Sequence, residues 1–371
     1  MRIAQLTLNG YFNYGNILQK YALQQTLKKF ADFTEVLWEL PSSFVLGIDY
    51  NDFYSNPLPV YVDSLTNEKH NLREAVRSTK IKEFENRYIK TRFDIPYIEE
   101  IADDYDFFVV GSDQVWQPNW IETKYFLNFA PPQKRIAYAA SIAAPEIPNR
   151  LKEFFRLGIS GFEHISVREE KSVEIIKELT GLNALLLVDP TLLLTPEEWL
   201  KIAQKPSWLN EKYERGYILT YYLRKDPPTF LKDLSNHLNL PLINLLDWYN
   251  YWHYVVGPEE FLYLFANASL IFTNSFHGVV FSILLKRPFM NVEFNDAMFM
   301  STRIPGLLKM FGLENRIMTT DKIFSIDSML EIDYSTRDKI LPLEREKAFK
   351  FLSNALGVMT PFLTGGGVVQ A

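Results

Sequence analysis

Short apolar runs alternate with segments of helical period along most of the chain, and the alternation starts over in the second half. The runs "RIAQLTL", "TEVLWEL", "DFFVVG", "RIAYAAS", "HISVR" and "ALLLVD" come first, with helical stretches such as "NILQKYALQQTLKKF" and "EEKSVEIIKELTG" between them. "GYILTYYL", "PLINLL", "ASLIFT" and "PFMNVEF" then restart the pattern. Apolar strands separated by helices are the mark of parallel sheets with crossover connections. The proline-bearing segment "DPTLLLTPEEWLKIAQKPSWLNEKYERG" separates the two series, and Pro206 marks the boundary. The expectation is α/β, with two doubly wound domains facing a cleft, one over residues 1–205 and one over 206–345. A C-terminal helix and tail follow over 346–371.

A chain of 371 residues exceeds one ordinary core, which agrees with two domains. It contains no cysteine, so disulfides, thiolate metal sites and cysteine nucleophiles are excluded. The net charge of −6 argues against a nucleic-acid binder, which needs a basic face. The N-terminus lacks an apolar stretch of signal-peptide length, and no stretch approaches 18 uncharged apolar residues. The expected location is cytoplasmic, with peripheral contact at the inner membrane face left open. The tail "TGGGVVQA" has neither a preceding strand nor a following Lys-Ser/Thr, and reads as a frayed terminus rather than a phosphate loop.

Ligands on doubly wound sheets sit outside the carboxyl ends of the strands, so the strand-to-helix junctions hold the candidate chemistry. At the first, Gly10 and Gly15 bracket a turn before a helix that begins near Asn16. This is either a glycine-rich approach to a ligand or a capped turn. At the second, "DFFVVG" runs into Ser112, Asp113 and Gln114, polar groups that suit a cleft. Asp113 fits a base, a hydroxyl acceptor or a helix cap. At the third, Arg168 stands between strand and helix, either as a local ion pair with Glu169 and Glu170 or as a bidentate clamp for phosphate or carboxylate. At the fourth, Ser275, His277 and Gly278 follow "SLIFT". Histidine exchanges a proton near neutrality with little tuning, and Gly278 would let the helix start close to a ligand. His70, His164, His237 and His253 lack such a setting.

Taken in order, "NYGNILQKYALQ", "DFFVVGSDQVWQP", "ISVREEKSVEII", "VDPTLLL", "VGPEEFL" and "TNSFHGVVFSILLKRPF" resemble the polysaccharide pyruvyl transferase family from about residue 2 to about residue 316. The resemblance implies two Rossmann-like domains in a glycosyltransferase-B-like arrangement. It also implies transfer of an enolpyruvyl unit from phosphoenolpyruvate to a saccharide, giving a pyruvate ketal in capsule or exopolysaccharide biosynthesis. Arg168 and His277 match the family's donor-site arginine and histidine. Many members carry an arginine two residues before that histidine; this chain has Ser275, which makes Arg303 a candidate replacement. No metal and no cofactor are implied beyond phosphoenolpyruvate as co-substrate.

The candidate set is therefore His277 as acid and Asp113 as hydroxyl partner, with Arg168, Ser275, Gly278 and Arg303 on the donor. Asn16, Gln19, Ser112, Gln114, Trp248 and Trp252 are assigned to the acceptor, a saccharide for which a lipid-diphosphate-linked form is one option. The aromatic run "DWYNYWHY" suits the apolar face of a pyranose, or a core. Residues 71–92 carry seven Lys or Arg against three Glu, which fits either a solvated helix face or contact with anionic lipid. The rivals are a nucleotide-sugar glycosyltransferase and a catalytically silent carbohydrate-binding subunit.

Overall fold

The computed structural model describes residues 1–10, 13–39, 64–95, 97–223, 226–292, 303–319 and 324–360. The glycine-rich tail lies outside them. Two parallel sheets carry the fold. The first contains β1 (Arg2–Leu6), β2 (Phe33–Glu39), β3 (Thr91–Ile95), β4 (Phe107–Val110), β5 (Arg135–Ala140), β6 (His164–Val167) and β7 (Leu185–Leu186). Its strand order is β3-β2-β1-β4-β5-β6-β7. The second contains β8 (Ile218–Tyr221), β9 (Leu242–Leu245), β10 (Leu270–Thr273), β11 (Phe289–Val292) and β12 (Ile317–Met318), in the order β12-β11-β10-β8-β9. Both orders reverse once, between β1 and β4 and between β8 and β10. Those reversals open the crevices where doubly wound sheets take ligands.

The register fixes what meets there. Leu6 pairs with Val110, so the chain leaves β1 and β4 side by side, and Thr273 pairs with Tyr221 in the same way. The central strands are largely apolar because helices cover both of their faces. Every residue of β8 and β10 is buried.

The longer helices are α1 (Tyr14–Leu27), α2 (Ser64–Tyr88), α3 (Lys152–Ile159), α4 (Glu170–Thr180), α5 (Phe230–Leu238), α6 (Pro258–Asn267), α7 (Phe276–Leu284), α8 (Arg303–Phe311) and α9 (Ser335–Leu356). Helix α1 is buried on almost every side because it lies between the sheets. It even carries Lys20 inside, paired at 3.1 Å with an equally buried Glu85. One apolar core runs through Ile3, Ile17 and Leu192 of the first half into Phe261, Phe281 and Leu352 of the second. Separate clusters cover the outer faces of the two sheets.

Two joints tie the halves together. Helix α2 pairs Lys80 with Glu260 at 2.8 Å and Arg87 with Glu259 at 3.1 Å, both acids on α6. Helix α9 runs without a break across residues 345 and 346 and returns to the first half. There Phe349 meets Phe30, Phe351 meets Tyr138, and Arg345 donates to the carbonyls of Leu192 and Leu194, each at 2.7 Å. Among the described residues no helix is long and apolar enough to cross a membrane.

Candidate active site

The first junction starts earlier than the sequence suggests. Asn13, not Asn16, caps α1, its side chain accepting from the amides of Gly15 and Asn16. Gly15 thus lies in the first helical turn. Its reason is a close approach, since a Cβ there would stand 2.0 Å from Nδ1 of His277. Gly278, by contrast, makes room for Thr273, whose Oγ1 would lie 2.4 Å from an added Cβ. The glycine that makes room for the site histidine thus lies on α1, in the other half of the chain.

Gly111 and Asp113 both take positive φ, at 118° and 71°, where the chain turns out of β4. A side chain on Gly111 would strike the carbonyl of Tyr138 at 2.2 Å. This turn aims Asp113 across the crevice. Its Oδ2 accepts from Asn16 Nδ2 at 3.2 Å and its Oδ1 from Arg168 Nη2 at 3.0 Å. Asp113 is therefore not a helix cap.

Arg168 is buried, and three of its five donors meet carboxylates. Nη1 reaches Asp189 at 2.6 Å, Nη2 reaches Asp113, and Nε lies 3.5 Å from Glu169. Burial opposes its charge, but Asp113, Asp189 and Glu169 together outweigh burial and hold its pKa above the ordinary value. Burial likewise opposes the charge of Asp113 and Asp189. Arg168 and His277 reverse that, so both carboxyls sit below the usual range and are anionic at neutral pH. Glu169 is fixed behind Arg168 by Ser141 and by Ser172 at 2.8 Å.

From the second sheet come His277, Phe276 and Arg303. Ser275 caps α7, its Oγ accepting from the Gly278 amide at 3.3 Å, so this hydroxyl holds the helix start. His277 Nε2 lies 3.5 Å from Asp189 Oδ2, a contact that falls short of hydrogen-bond geometry. Arg168 and Arg303 both approach the Phe276 ring, with guanidinium carbons 4.6 Å and 5.5 Å from its centroid. Arg303 is buried, and its Nε has no hydrogen-bond partner. No carboxylate among the described residues lies within ion-pair distance of it. With the Gln114 amide turned to place its oxygen toward the guanidinium, that oxygen accepts at 3.0 Å and 3.3 Å. Burial, then the like charge of Arg168, pushes the Arg303 pKa down to about 10.

The junctions of both sheets thus converge on one cluster of three carboxylates, two guanidiniums and an imidazole. A family model described as polysaccharide pyruvyl transferase matches residues 13–295, which include all of these groups except Arg303. The chain belongs to the polysaccharide pyruvyl transferase family. The resemblance carried by the six motifs therefore holds, and the two parallel, doubly wound sheets agree with the α/β fold it implied. No curated protein matches the chain significantly. Among solved structures, HepE of Anabaena in complex with UDP and glucose is 12% identical, at a TM-score of 0.48, covering 95% of this chain and 100% of its own. The UDP-GlcNAc 2-epimerase of Methanocaldococcus jannaschii is 15% identical at 0.47, covering 97% and 94%. The ADP-heptose heptosyltransferase II of Escherichia coli is 12% identical at 0.33, covering 94% and 99%.

In this pyruvyl transferase, the remaining candidates fall into two groups. Asn16 stands beside Asp113, and its Oδ1 is buried without a donor. Gln19 and Ser112 are fully buried beneath the crevice, Gln19 donating to Thr7 and Ser112 to the Ala139 carbonyl and Asp189. Trp248 and Trp252 are elsewhere, after β9, two strands from β10 and so roughly 10 Å to the side. Trp248 packs edge-on to Tyr254, and Trp252, half exposed, packs edge-on to Tyr251. Asp189 was missed although "VDPTLLL" contains it, because Asp before Pro after an apolar run reads as a turn cap. It is one, accepting from the Thr191 amide at 3.0 Å, but its other oxygen faces the cluster.

Two further sequence features find partners within the chain. Six of the seven cations in residues 71–92 have partners, among them Glu259, Glu260, Glu35 and Asp104, and Arg73 donates to the Trp248 carbonyl. Only Lys82 has no partner among the described residues. His253 is buried against Trp208, and burial depresses its pKa to about 4, so it is neutral.

Proposed function

We propose that the protein transfers an enolpyruvyl group from phosphoenolpyruvate to a saccharide, forming a pyruvate ketal and releasing phosphate. The observation that carries this reading is the pair of buried guanidiniums on Phe276, next to His277, where the two crevices meet. A donor bearing phosphate and carboxylate needs two fixed cations, and among the described residues no carboxylate lies within ion-pair distance of Arg303. Arg168 keeps two N–H groups for a second anionic group.

The chemistry then proceeds with the chain's own residues. His277 gives a proton to the methylene carbon of the donor, and cationic character develops at the neighbouring carbon. A sugar hydroxyl adds to that carbon, and its proton passes to His277, which restores the acid. The C–O bond to phosphate breaks as a second hydroxyl of the same sugar closes the ketal ring, and the proton of that hydroxyl leaves with the phosphate. Asp113, anionic and rigidly held, accepts a hydrogen bond from the attacking hydroxyl and is too weak a base to do more. The orphaned Asn16 Oδ1 suits a hydroxyl donor beside it. The exposed rings of Tyr249 and Trp252 offer flat faces for a longer saccharide.

The test is incubation with phosphoenolpyruvate and candidate saccharides, following phosphate release. Release should require both substrates. Turnover with a nucleotide sugar and none with phosphoenolpyruvate would overturn the reading in favour of a glycosyltransferase.

A further inference from the structure

Among the described residues, Asp189 is the carboxylate that lies within ion-pair distance of both Arg168 and His277. Its side chain is sealed from solvent. Oδ1 accepts from the Thr191 amide at 3.0 Å and from Thr191 Oγ1 at 2.7 Å. Oδ2 accepts from Arg168 Nη1 at 2.6 Å and Ser112 Oγ at 3.3 Å, and faces His277 Nε2 at 3.5 Å. All of its hydrogen-bonding capacity is therefore that of an acceptor. The imidazole has two inequivalent edges. Nε2 is buried against this carboxylate, and Nδ1 lies on the α1 side, where the missing side chain of Gly15 leaves its room.

We propose that Asp189 is a positioning residue that holds the hydrogen of neutral His277 on Nε2, so that Nδ1 is the nitrogen that exchanges a proton with substrate. An acceptor-only group opposite Nε2 disfavours a lone pair there, and the neutral ring places its lone pair on the other nitrogen. The charged groups around the ring are Asp189 and Asp113, with Arg168 and Arg303 beyond them on Phe276. Of the carboxylates among the described residues, only Asp189 lies within 4 Å of Nε2. Arg168 in turn pins Oδ2, so the same carboxylate ties the histidine's orientation to the guanidinium. The identity of Nδ1 as a proton donor in turnover rests on the proposed function; the tautomer does not.

The experiment is ¹⁵N NMR of the ligand-free, histidine-labelled protein, with His277 assigned through His277→Gln. At a pH where the ring is neutral, the Nε2–H form is expected. Asp189→Asn removes the charge at nearly unchanged shape. Donors stand on both sides of the new amide, the Thr191 amide at one position and Arg168 Nη1 and Ser112 Oγ at the other, so the anionic acceptor opposite Nε2 is lost whichever way the amide lies. The preference for the Nε2–H ring should then weaken in favour of Nδ1–H, and kcat should fall on the order of 10²- to 10⁴-fold, as when a comparable carboxylate–histidine pair is broken. An Nδ1–H ring in the unaltered protein overturns the proposal without recourse to any variant. A folded Asp189→Asn protein with the Nε2–H tautomer and undiminished kcat overturns it as well. An Nε2–H ring in a protein inert to phosphoenolpyruvate supports the tautomer assignment and counts against the pyruvyl transfer alone.

Discussion

Gly15→Ala places one methyl group between the two halves of the site. The added carbon would stand 2.0 Å from Nδ1, 2.4 Å from Cγ and 2.8 Å from Cβ of His277. Ordinary contacts between such atoms lie at about 3.5–4 Å, so the overlap exceeds roughly 1 Å. Turning the imidazole about χ1 does not relieve it, because the histidine Cβ is itself too close and does not move with that rotation. The start of α1 or of α7 must therefore shift. In a helix Ala is favoured over Gly by about 1 kcal/mol, whereas overpacking costs about 1–3 kcal/mol. Stability is thus expected to fall by only about 0–2 kcal/mol. Catalysis is the sharper readout, since a displacement of about 1 Å at reacting groups can cost on the order of 10²-fold. The assay pairs phosphate release from phosphoenolpyruvate and an acceptor with urea denaturation of the same variant. A folded Gly15→Ala protein with kcat within about twofold of the parent would show that His277 need not stay where it rests against α1, and the reasoning would fail.

The two guanidiniums should separate by assay. Arg168→Ala strands the buried Asp189 and Glu169 and the partly buried Asp113 and should cost roughly 3–5 kcal/mol of stability, whereas Arg303→Met removes a desolvated charge with no carboxylate of the described residues at ion-pair distance and should leave urea stability nearly unchanged. Arg303→Met should instead weaken calorimetric binding of phosphoenolpyruvate by about 2–4 kcal/mol; equal destabilisation of both variants would contradict the charge assignments. His277→Ala should lower kcat on the order of 10²–10⁴-fold in phosphate release while circular dichroism reports an intact fold, and near-parental turnover would remove histidine from the chemistry. His253 gives a pH dependence of known sign: its folded pKa of about 4 is below the unfolded 6.5, so the unfolded chain binds more protons between those values. Stability should therefore decline as pH falls from 6.5 to 4, by roughly 3 kcal/mol in all, and His253→Phe should flatten that part of a denaturation-versus-pH series.

Much of the fold was legible because parallel strands buried on both faces are uninterrupted apolar words, and "DFFVVG" or "SLIFT" admits few other readings. β3 was not, because an edge strand with one solvated side reads as "TRFDI", two charges in five residues. β12, two residues long, offers no period at all. At the site, Arg168, Asp113 and His277 were legible as polar residues at strand ends, and Arg303 only as a stand-in for the family arginine that Ser275 replaces. Asp189 was hidden by its own second role as a turn cap. Gly15 was read as a turn glycine because the atom it avoids belongs to residue 277, and such a distance in sequence leaves no local trace. The basic stretch 71–92 has a real charge excess, and acids within it (Glu74), near it (Asp104) and far along the chain on α6 offset part of it.

The hold of Arg345 on the carbonyls of Leu192 and Leu194 has a bearing on the order in which the molecule is made. The turn that presents Asp189 ends in those two carbonyls, and their donor is a side chain on the last long helix, more than 150 residues later. A nascent chain that has emerged through β7 possesses every strand of the first sheet. It still lacks the partners that fix the turn, the aromatic rings that meet Phe30 and Tyr138, and the histidine that Asp189 faces. Contacts this distant in sequence close late, after local ones have formed. The site accordingly comes into being as one of the last events of folding, and the first domain emerges from synthesis as a scaffold without a reaction centre.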